Sequence, residues 1–261
     1  MIDAHFHCFE RSLKIADGAR YLPQYDALLS DLQTHWQAHG ITRGVIIQPS
    51  FLGTDNSYLL QICEHSAQDV RGIAVVSPEI SPHALAQMHE QGVRGIRFNW
   101  IGLEKWPEMQ TSIWAHIRRS MQALGWHVQL HVEGHRLDEA ARCFDNWKVP
   151  LVIDHLGRPS SISIHDHAQT LQSIVQRRPT YIKVSAPYRC SADTPGSFET
   201  VTAALHESVG AKHLLWGSDW PFTQHESSQS YDAVIAEYKR VCADSTVRGT
   251  MTRNAEALYF S

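Results

Sequence analysis

The N-terminal run Asp3-Ala4-His5-Phe6-His7 places two histidines two residues apart in an alternating stretch. Residues at positions i and i+2 of a β-strand project from the same face, so both imidazoles would point to one side. Paired imidazoles can bind a metal ion, or they can donate hydrogen bonds to a reacting carbonyl group. Which chemistry applies depends on the polar residues that the fold brings beside them.

Short apolar, β-branched runs recur along the chain, with helical segments between them. There are eight such runs, at residues 2–7, 44–48, 72–77, 94–99, 126–131, 151–155, 181–185 and 214–219. Eight alternating strand–helix units are the number that closes a parallel barrel, and 261 residues is close to the roughly 250 residues of one such barrel. The sequence therefore predicts an α/β fold, a (β/α)8 TIM barrel formed by a single domain over residues 1–261.

Polar residues collect at the C-terminal ends of these predicted strands. They are His5 and His7 in strand 1, Arg97 and Asn99 in strand 4, Gln129 and His131 in strand 5, His155 in strand 6, Arg189 after strand 7, and Asp219 in strand 8. Reacting groups of such barrels come from this end of the strands. Period-two alternation directs Gln129 and His131 into the barrel, and Gly217 and Asp219 likewise. We expect several imidazoles and one carboxylate to converge at one rim.

The composition excludes several classes of protein. Hydrophobic residues at 43%, charged residues at 19% and a net charge of -4 are typical of a soluble globular protein and give no electrostatic reason to expect nucleic acid. No apolar run approaches the roughly 20 residues that span a bilayer, and no nucleophile elbow, phosphate-binding loop or dinucleotide fingerprint is present. Five scattered cysteines without a C-x-x-C motif indicate free thiols and a cytoplasmic protein.

Three ordered motifs carry a resemblance to a known family. They are Asp3-Ala4-His5-Phe6-His7, Asp154-His155-Leu156-Gly157-Arg158-Pro159 and Gly217-Ser218-Asp219-Trp220-Pro221. With them the chain resembles the amidohydrolase superfamily, in particular the branch of 2-pyrone-4,6-dicarboxylate lactonase and sugar lactonases. The resemblance extends almost from end to end. It implies a distorted (β/α)8 barrel that hydrolyses a lactone at the C-terminal rim.

The resemblance also implies roles for individual residues. Asp219 would be the general base that takes a proton from water, while His5, His7 and His155 would polarise the lactone carbonyl. Arg97 and Arg189 match arginines that hold a substrate carboxylate, a task suited to the planar guanidinium group. The alternative for both arginines is a salt bridge within the rim. The other substrate-binding positions implied are Ser50, Asn99 and His131.

The chain departs from the lactonase pattern at two positions. Leu103 stands where the pyrone-dicarboxylate enzyme has a further carboxylate-binding arginine, with Lys105 as a candidate replacement, and His131 stands where it has a tyrosine. That enzyme works without a metal, so we expect no required cofactor. The alternative is one divalent ion, Zn²⁺ above all, held by four ligands. These would be His5, His7, His131 and Asp219.

The sequence thus predicts a hydrolase that opens a small lactone carrying at least one carboxylate. Two alternatives stay open at this level. A metal-dependent decarboxylase would share the paired histidines and the aspartate after strand 8, and a non-catalytic protein could use the same rim to bind a carboxylic acid. The number of copies in an assembly is not predicted.

Overall fold

The computed structural model describes residues 1–159, 162–190 and 196–261. Eight parallel strands follow one another around a single sheet in chain order, so each strand pairs with the next along the sequence. The strands are β1 Ile2–Phe6, β2 Arg43–Ile47, β3 Asp69–Ala74, β4 Val93–Asn99, β5 His127–His131, β6 Leu151–Ile153, β7 Thr180–Val184 and β8 Leu214–Trp216. The predicted (β/α)8 barrel is confirmed.

Helices lie between the strands because each right-handed crossover packs one helix against the outside of a parallel sheet. They are α1 Leu29–His39, α2 Ser57–His65, α3 Pro82–Glu90, α4 Ala115–Ala123, α5 Leu137–Arg142, α6 Ile164–Arg177, α7 Phe198–Val209, α8 Tyr231–Val241 and α9 Ser245–Tyr259. Among these described helices, none is long and apolar enough to cross a membrane.

The segment after β8 joins the last strand to the first. The backbone N–H of His7 donates to the carbonyl of Trp220 at 2.8 Å, and the N–H of Asp219 donates to the carbonyl of His5 at 2.8 Å. Buried Asp3 ties the same junction together, since its carboxylate accepts from the Ser218 N–H at 2.8 Å. The first and last polar motifs of the sequence are therefore held side by side.

The barrel interior is apolar at one end and polar at the other. Ile2, Val45 and Val152 belong to the apolar cluster inside the barrel, and Ala255 and Tyr259 of α9 pack against them. Helix α9 thus covers the N-terminal end of the barrel. The polar side chains of the strands are left to converge at the C-terminal end.

Six of the eight strands end earlier than the sequence predicts, and at β6 and β8 this corrects the expected geometry of the rim. β6 ends at Ile153 and β8 ends at Trp216, so His155 and Asp219 lie beyond their strands. Both residues have positive φ values, 51° for His155 and 60° for Asp219. Strand alternation does not apply to such left-handed backbone, so it was the wrong reason for placing Asp219 at the site. Gln129 does point into the barrel as predicted, where it contacts Lys183 and Asp154.

Candidate active site

A cavity of about 280 Å³ opens at the C-terminal end of the barrel. Eight of the nine sequence-predicted site residues line it: His7, Ser50, Arg97, Asn99, His131, His155, Arg189 and Asp219. The ninth, His5, is fully buried and lies within 3.5 Å of Asp219. The structure therefore brings all the candidate residues together at one place.

Asp219 uses its two carboxylate oxygens differently. Oδ2 accepts hydrogen bonds from the Tyr188 hydroxyl at 2.7 Å and from Arg189 Nε at 2.8 Å. Oδ1 has no hydrogen-bond partner among the described residues, although Asp219 is buried. One oxygen is therefore anchored, and the other is free to accept a proton or a hydrogen bond.

Three imidazoles surround the free oxygen of Asp219. Oδ1 lies 3.5 Å from His5 Nε2, 3.5 Å from His7 Nε2 and 3.8 Å from His155 Nε2. The two Nε2 atoms of His5 and His7 are themselves 3.3 Å apart. On its other side, His155 contacts the Ser185 hydroxyl through Nδ1 at 2.9 Å.

A second polar layer lies beneath these imidazoles. Asp154 accepts from Arg97 Nε at 3.2 Å and from Gln129 Nε2 at 3.3 Å, and its Oδ1 is 3.6 Å from Lys183 Nζ. Lys183, fully buried in the middle of β7, donates to Gln129 Oε1 at 2.8 Å and contacts His5 Nδ1 at 3.2 Å. Buried charges of both signs are thus paired directly under the rim.

The arginines at the rim already have partners within the protein. Arg97 pairs with Asp154 and also reaches His131, whose Nδ1 lies 3.2 Å from Nη2 of the arginine. Arg189 pairs with Asp219. Both arginines also line the cavity, and each guanidinium has more N–H donors than its contacts within the protein use. The salt bridges that were the alternative for these arginines are present.

Burial keeps His5, His131 and His155 neutral. It lowers the pKa of His5 and of His131 well below their usual range, and it lowers the pKa of His155 to about 3. A protonated imidazole in this position would lose its hydration without enough compensating negative charge. All three rings therefore carry one proton each near neutral pH.

The charged groups stay charged. Burial opposes ionisation of Asp219, but the Arg189 guanidinium and the surrounding imidazoles together outweigh it and hold the pKa of that carboxyl well below its usual range. Burial lowers the pKa of the Lys183 ammonium to about 8, and Asp154 acts in the opposite direction. Asp219 is accordingly a carboxylate, and Lys183 an ammonium, at neutral pH.

Part of the rim has the spacing of a metal site. His5 Nε2, His7 Nε2 and Asp219 Oδ1 lie 3.3–3.5 Å apart, close to the about 3.3 Å between ligands of a tetrahedral zinc. In the described part of the chain, His131 groups with Asp154 and His155 instead of with Asp219. Two groups contact His5 Nδ1: the Lys183 ammonium at 3.2 Å, which can only donate, and the Asp154 carboxylate at 3.3 Å, which can only accept. The distances fit a metal, and the tautomer of His5 decides whether its Nε2 has a lone pair to offer.

Sequence reasoning missed several residues of the site. Tyr188, which anchors Asp219, follows β7 in an irregular turn and carries no pattern that would single it out. Lys183 did leave a trace, since a lysine inside the apolar run Tyr181-Ile182-Lys183-Val184 is unusual for a buried strand. Lys105 is exposed and does not line the cavity, whereas Arg20 and Arg158 do.

An eight-stranded parallel barrel with its polar groups at the C-terminal rim is the architecture of the (β/α)8-barrel enzymes. The chain belongs to the amidohydrolase family, whose model matches residues 2–260. It is 28% identical over 253 residues to the 2-pyrone-4,6-dicarboxylate hydrolase of Comamonas testosteroni, covering 91% of this chain and 82% of that protein. It is 27% identical over 224 residues to the 4-sulfomuconolactone hydrolase of Hydrogenophaga intermedia, covering 84% and 74%.

A solved structure agrees with these sequence relatives. It is that of a probable 2-pyrone-4,6-dicarboxylic acid hydrolase from Acinetobacter baumannii with citric acid bound. This chain superimposes on it with a TM-score of 0.91 at 32% identity, covering 99% of this chain and 98% of the other. Fold and family are thus supported over the whole length.

Proposed function

We propose that this protein hydrolyses a small anionic lactone, with Asp219 as the general base. The observation that carries the proposal is the difference between the contacts of the two Asp219 carboxylate oxygens. Tyr188 and Arg189 fix Oδ2, while Oδ1 is unpartnered among the described residues and faces the imidazoles of the rim. The sequence relatives in Comamonas and Hydrogenophaga are named as hydrolases of such lactones, which supports the same reaction.

The proposed reaction needs only water and the groups of the rim. Asp219 Oδ1 takes a proton as the water oxygen attacks the lactone carbonyl carbon, and the carbonyl oxygen becomes an oxyanion. His155, which lines the cavity, donates a hydrogen bond to that oxygen through Nε2, and His5 and His7 lie beside it with their Nε2 atoms 3.3 Å apart. The ring C–O bond then breaks, and the departing oxygen receives the proton from Asp219. The products are a carboxylic acid and a hydroxyl group in one chain.

The charges that line the cavity favour an anionic substrate. Four arginines line it, Arg20, Arg97, Arg158 and Arg189, against the single carboxylate of Asp219 among the described lining residues. The half-buried guanidinium of Arg158 has no salt-bridge partner in the described part of the chain. Guanidinium groups bind carboxylates through paired hydrogen bonds. We therefore propose that Arg97 and Arg189, together with Arg158, bind the substrate carboxylate, with Ser50 and Asn99 beside it.

The proposal is tested with a panel of pyrone, muconolactone and sugar-acid lactones offered to chelator-treated protein. Ring opening releases a proton near neutral pH, so an indicator dye follows it for every lactone. Carboxylated lactones are expected to turn over, and their uncharged esters are not. Release of carbon dioxide instead of ring opening would identify a decarboxylase, and tight binding without turnover would identify a carboxylic-acid binder.

Arg158→Met tests the charge of the substrate separately. A lost charge-assisted hydrogen bond costs about 1.5–3 kcal/mol, so KM for a carboxylated lactone should rise about 10- to 100-fold. Arg119→Met, an exposed arginine of α4 that does not line the cavity, is the matched control. Equal KM values for Arg158→Met and the control would contradict the proposed anion contact.

A further inference from the structure

Two rim histidines share an unusual arrangement: a buried cation contacts the Nδ1 atom of each ring. Lys183 Nζ lies 3.2 Å from His5 Nδ1, and Arg97 Nη2 lies 3.2 Å from His131 Nδ1. An ammonium and a guanidinium group can donate hydrogen bonds but cannot accept them. Toward these cations each Nδ1 is the acceptor, which requires the only proton of each neutral ring to lie on Nε2.

His7 is the next group in the hydrogen-bond network after His5. His7 Nδ1 lies 2.7 Å from the carbonyl oxygen of Ile47, which can only accept, so this nitrogen carries the proton of His7. With one proton on its ring, His7 has a lone pair on Nε2, and this atom faces the Nε2–H of His5 at 3.3 Å. The four groups form one directed chain of hydrogen bonds from Lys183 through His5 and His7 to Ile47. Every donor in that chain has an acceptor.

His131 is the point at which such a chain is incomplete. Its Nε2 has no hydrogen-bond partner among the described residues, and the side chain is only 7% exposed while lining the cavity. An unsatisfied buried donor is unfavourable because it has lost its hydrogen bonds to water without gaining a replacement. A substrate oxygen in the cavity is the partner that would satisfy it.

Asp154 makes the tautomer of His5 depend on Lys183. Asp154 Oδ1 lies 3.3 Å from His5 Nδ1, the same nitrogen that Lys183 contacts. A carboxylate at that distance would accept a hydrogen bond from an Nδ1–H, and the neutral ring would then have a lone pair on Nε2. Histidines that bind metals are commonly held in this second form, with Nδ1–H donated to a carboxylate.

We propose that Lys183 and Arg97 are positioning residues that fix His5 and His131 as their Nε2–H tautomers. The rim then presents hydrogen-bond donors to a substrate, and His131 is not a metal ligand. The identification of the acceptor as a lactone oxygen rests on the proposed function. The tautomers themselves do not, and they can be measured without a substrate.

The first test is ¹⁵N NMR of the chelator-treated full chain labelled in its histidine rings. Signals of His131 and His5 are identified by their loss in His131→Tyr and His5→Gln. Both rings are expected to show a protonated Nε2 and an unprotonated Nδ1. A protonated Nδ1 on either ring in the wild-type protein would overturn the proposal.

The second test changes His5 Nε2 from a hydrogen-bond donor into a metal ligand. In Lys183→Met, only Asp154 remains beside His5 Nδ1, so the proton of His5 moves to Nδ1 and Nε2 offers a lone pair. The zinc affinity measured by equilibrium dialysis should rise at least about tenfold, which corresponds to about 1.4 kcal/mol, because His5 Nε2 becomes an additional ligand. Lys212→Met, at an exposed lysine, is the control. Equal zinc affinity of Lys183→Met and the wild type would contradict the proposal.

The third test asks whether His131 acts as a donor or as a ligand. His131→Phe should bind zinc with the same affinity as the wild type, and binding by neither protein is the same result. Weaker zinc binding by the variant would overturn the proposal. On a lactone that the wild type hydrolyses, kcat/KM should fall about 10- to 100-fold in His131→Phe and recover in His131→Tyr, which restores a donor. Failure of His131→Tyr to recover also counts against the proposal.

His127→Phe is the matched control for this third test. His127 is buried in the same strand but does not line the cavity. Its variant should keep the wild-type kcat/KM. A wild type that hydrolyses no lactone would refute the proposed function alone, because the NMR and zinc measurements would still decide the tautomers.

Discussion

Replacing Asp219 by asparagine removes the proposed base while the structure dictates how the new side chain sits. Arg189 Nε can only donate, and it donates to Oδ2 together with the Tyr188 hydroxyl. The amide carbonyl of Asp219→Asn must therefore occupy the Oδ2 position. Its NH2 group then replaces Oδ1 beside His5 and His7. The anchoring contacts survive, but no basic oxygen faces the attacking water.

The expected loss follows from the role of that oxygen. A positioned general base contributes about 10²- to 10⁴-fold, so Asp219→Asn should lose about 3–5 kcal/mol of transition-state stabilisation. The assay is proton release from the best lactone of the panel, with kcat and KM determined separately. Asp232→Asn removes an exposed carboxylate of α8 and serves as the control. An Asp219→Asn variant within about tenfold of the wild-type kcat would refute the assignment of the base.

Three further results are expected. Tyr188→Phe removes one hydrogen bond to Asp219 Oδ2 and should lower kcat about 5- to 30-fold with little change in KM, as steady-state kinetics would show. Gly217→Ala would place a Cβ 2.5 Å from the Cβ of His5 and should destabilise the fold by about 1–3 kcal/mol. Gly249→Ala, in the open interior of α9, should stabilise the fold by about 0.5–1 kcal/mol. Urea unfolding measures both free-energy changes, and equal effects of the two variants would contradict the packing around Gly217. The buried rim histidines have lowered pKa values in the folded chain, so below about pH 6.5 only the unfolded chain gains their protons. Stability should then fall by about 1.4 kcal/mol per pH unit per histidine, and a urea midpoint unchanged between about pH 7 and pH 5 would contradict their burial as neutral rings.

The barrel could be predicted because its pattern repeats. Eight β-branched runs with helical segments between them leave few alternatives to a closed parallel sheet. The two positive-φ residues show where such reasoning ends. His155 and Asp219 were expected at the ends of strands, but β6 and β8 stop short of them, and the turns that follow aim their side chains. Strand periodicity contains no information about a left-handed backbone position.

The hydrogen bonds within the site were harder to predict than the residues that form it. The residue types at the rim were readable because each follows or ends a strand. Their hydrogen-bond partners were not, because Lys183 and His5 are 178 residues apart in the chain and meet only across the closed barrel. Whether Nε2 of a rim histidine donates a hydrogen bond or binds a metal depends on the group that contacts Nδ1 of the same ring. That contact belongs to tertiary structure alone.

The most direct measurement is ring opening by protein dialysed against a chelator and verified to be metal-free. We expect it to hydrolyse a carboxylated lactone at the rate of the undialysed protein, because Asp219 and the imidazoles complete the reaction without an ion. Loss of hydrolysis on chelation, restored by Zn²⁺, would contradict the donor role of the rim. Absence of hydrolysis with every lactone, with and without Zn²⁺, would contradict the proposed reaction itself.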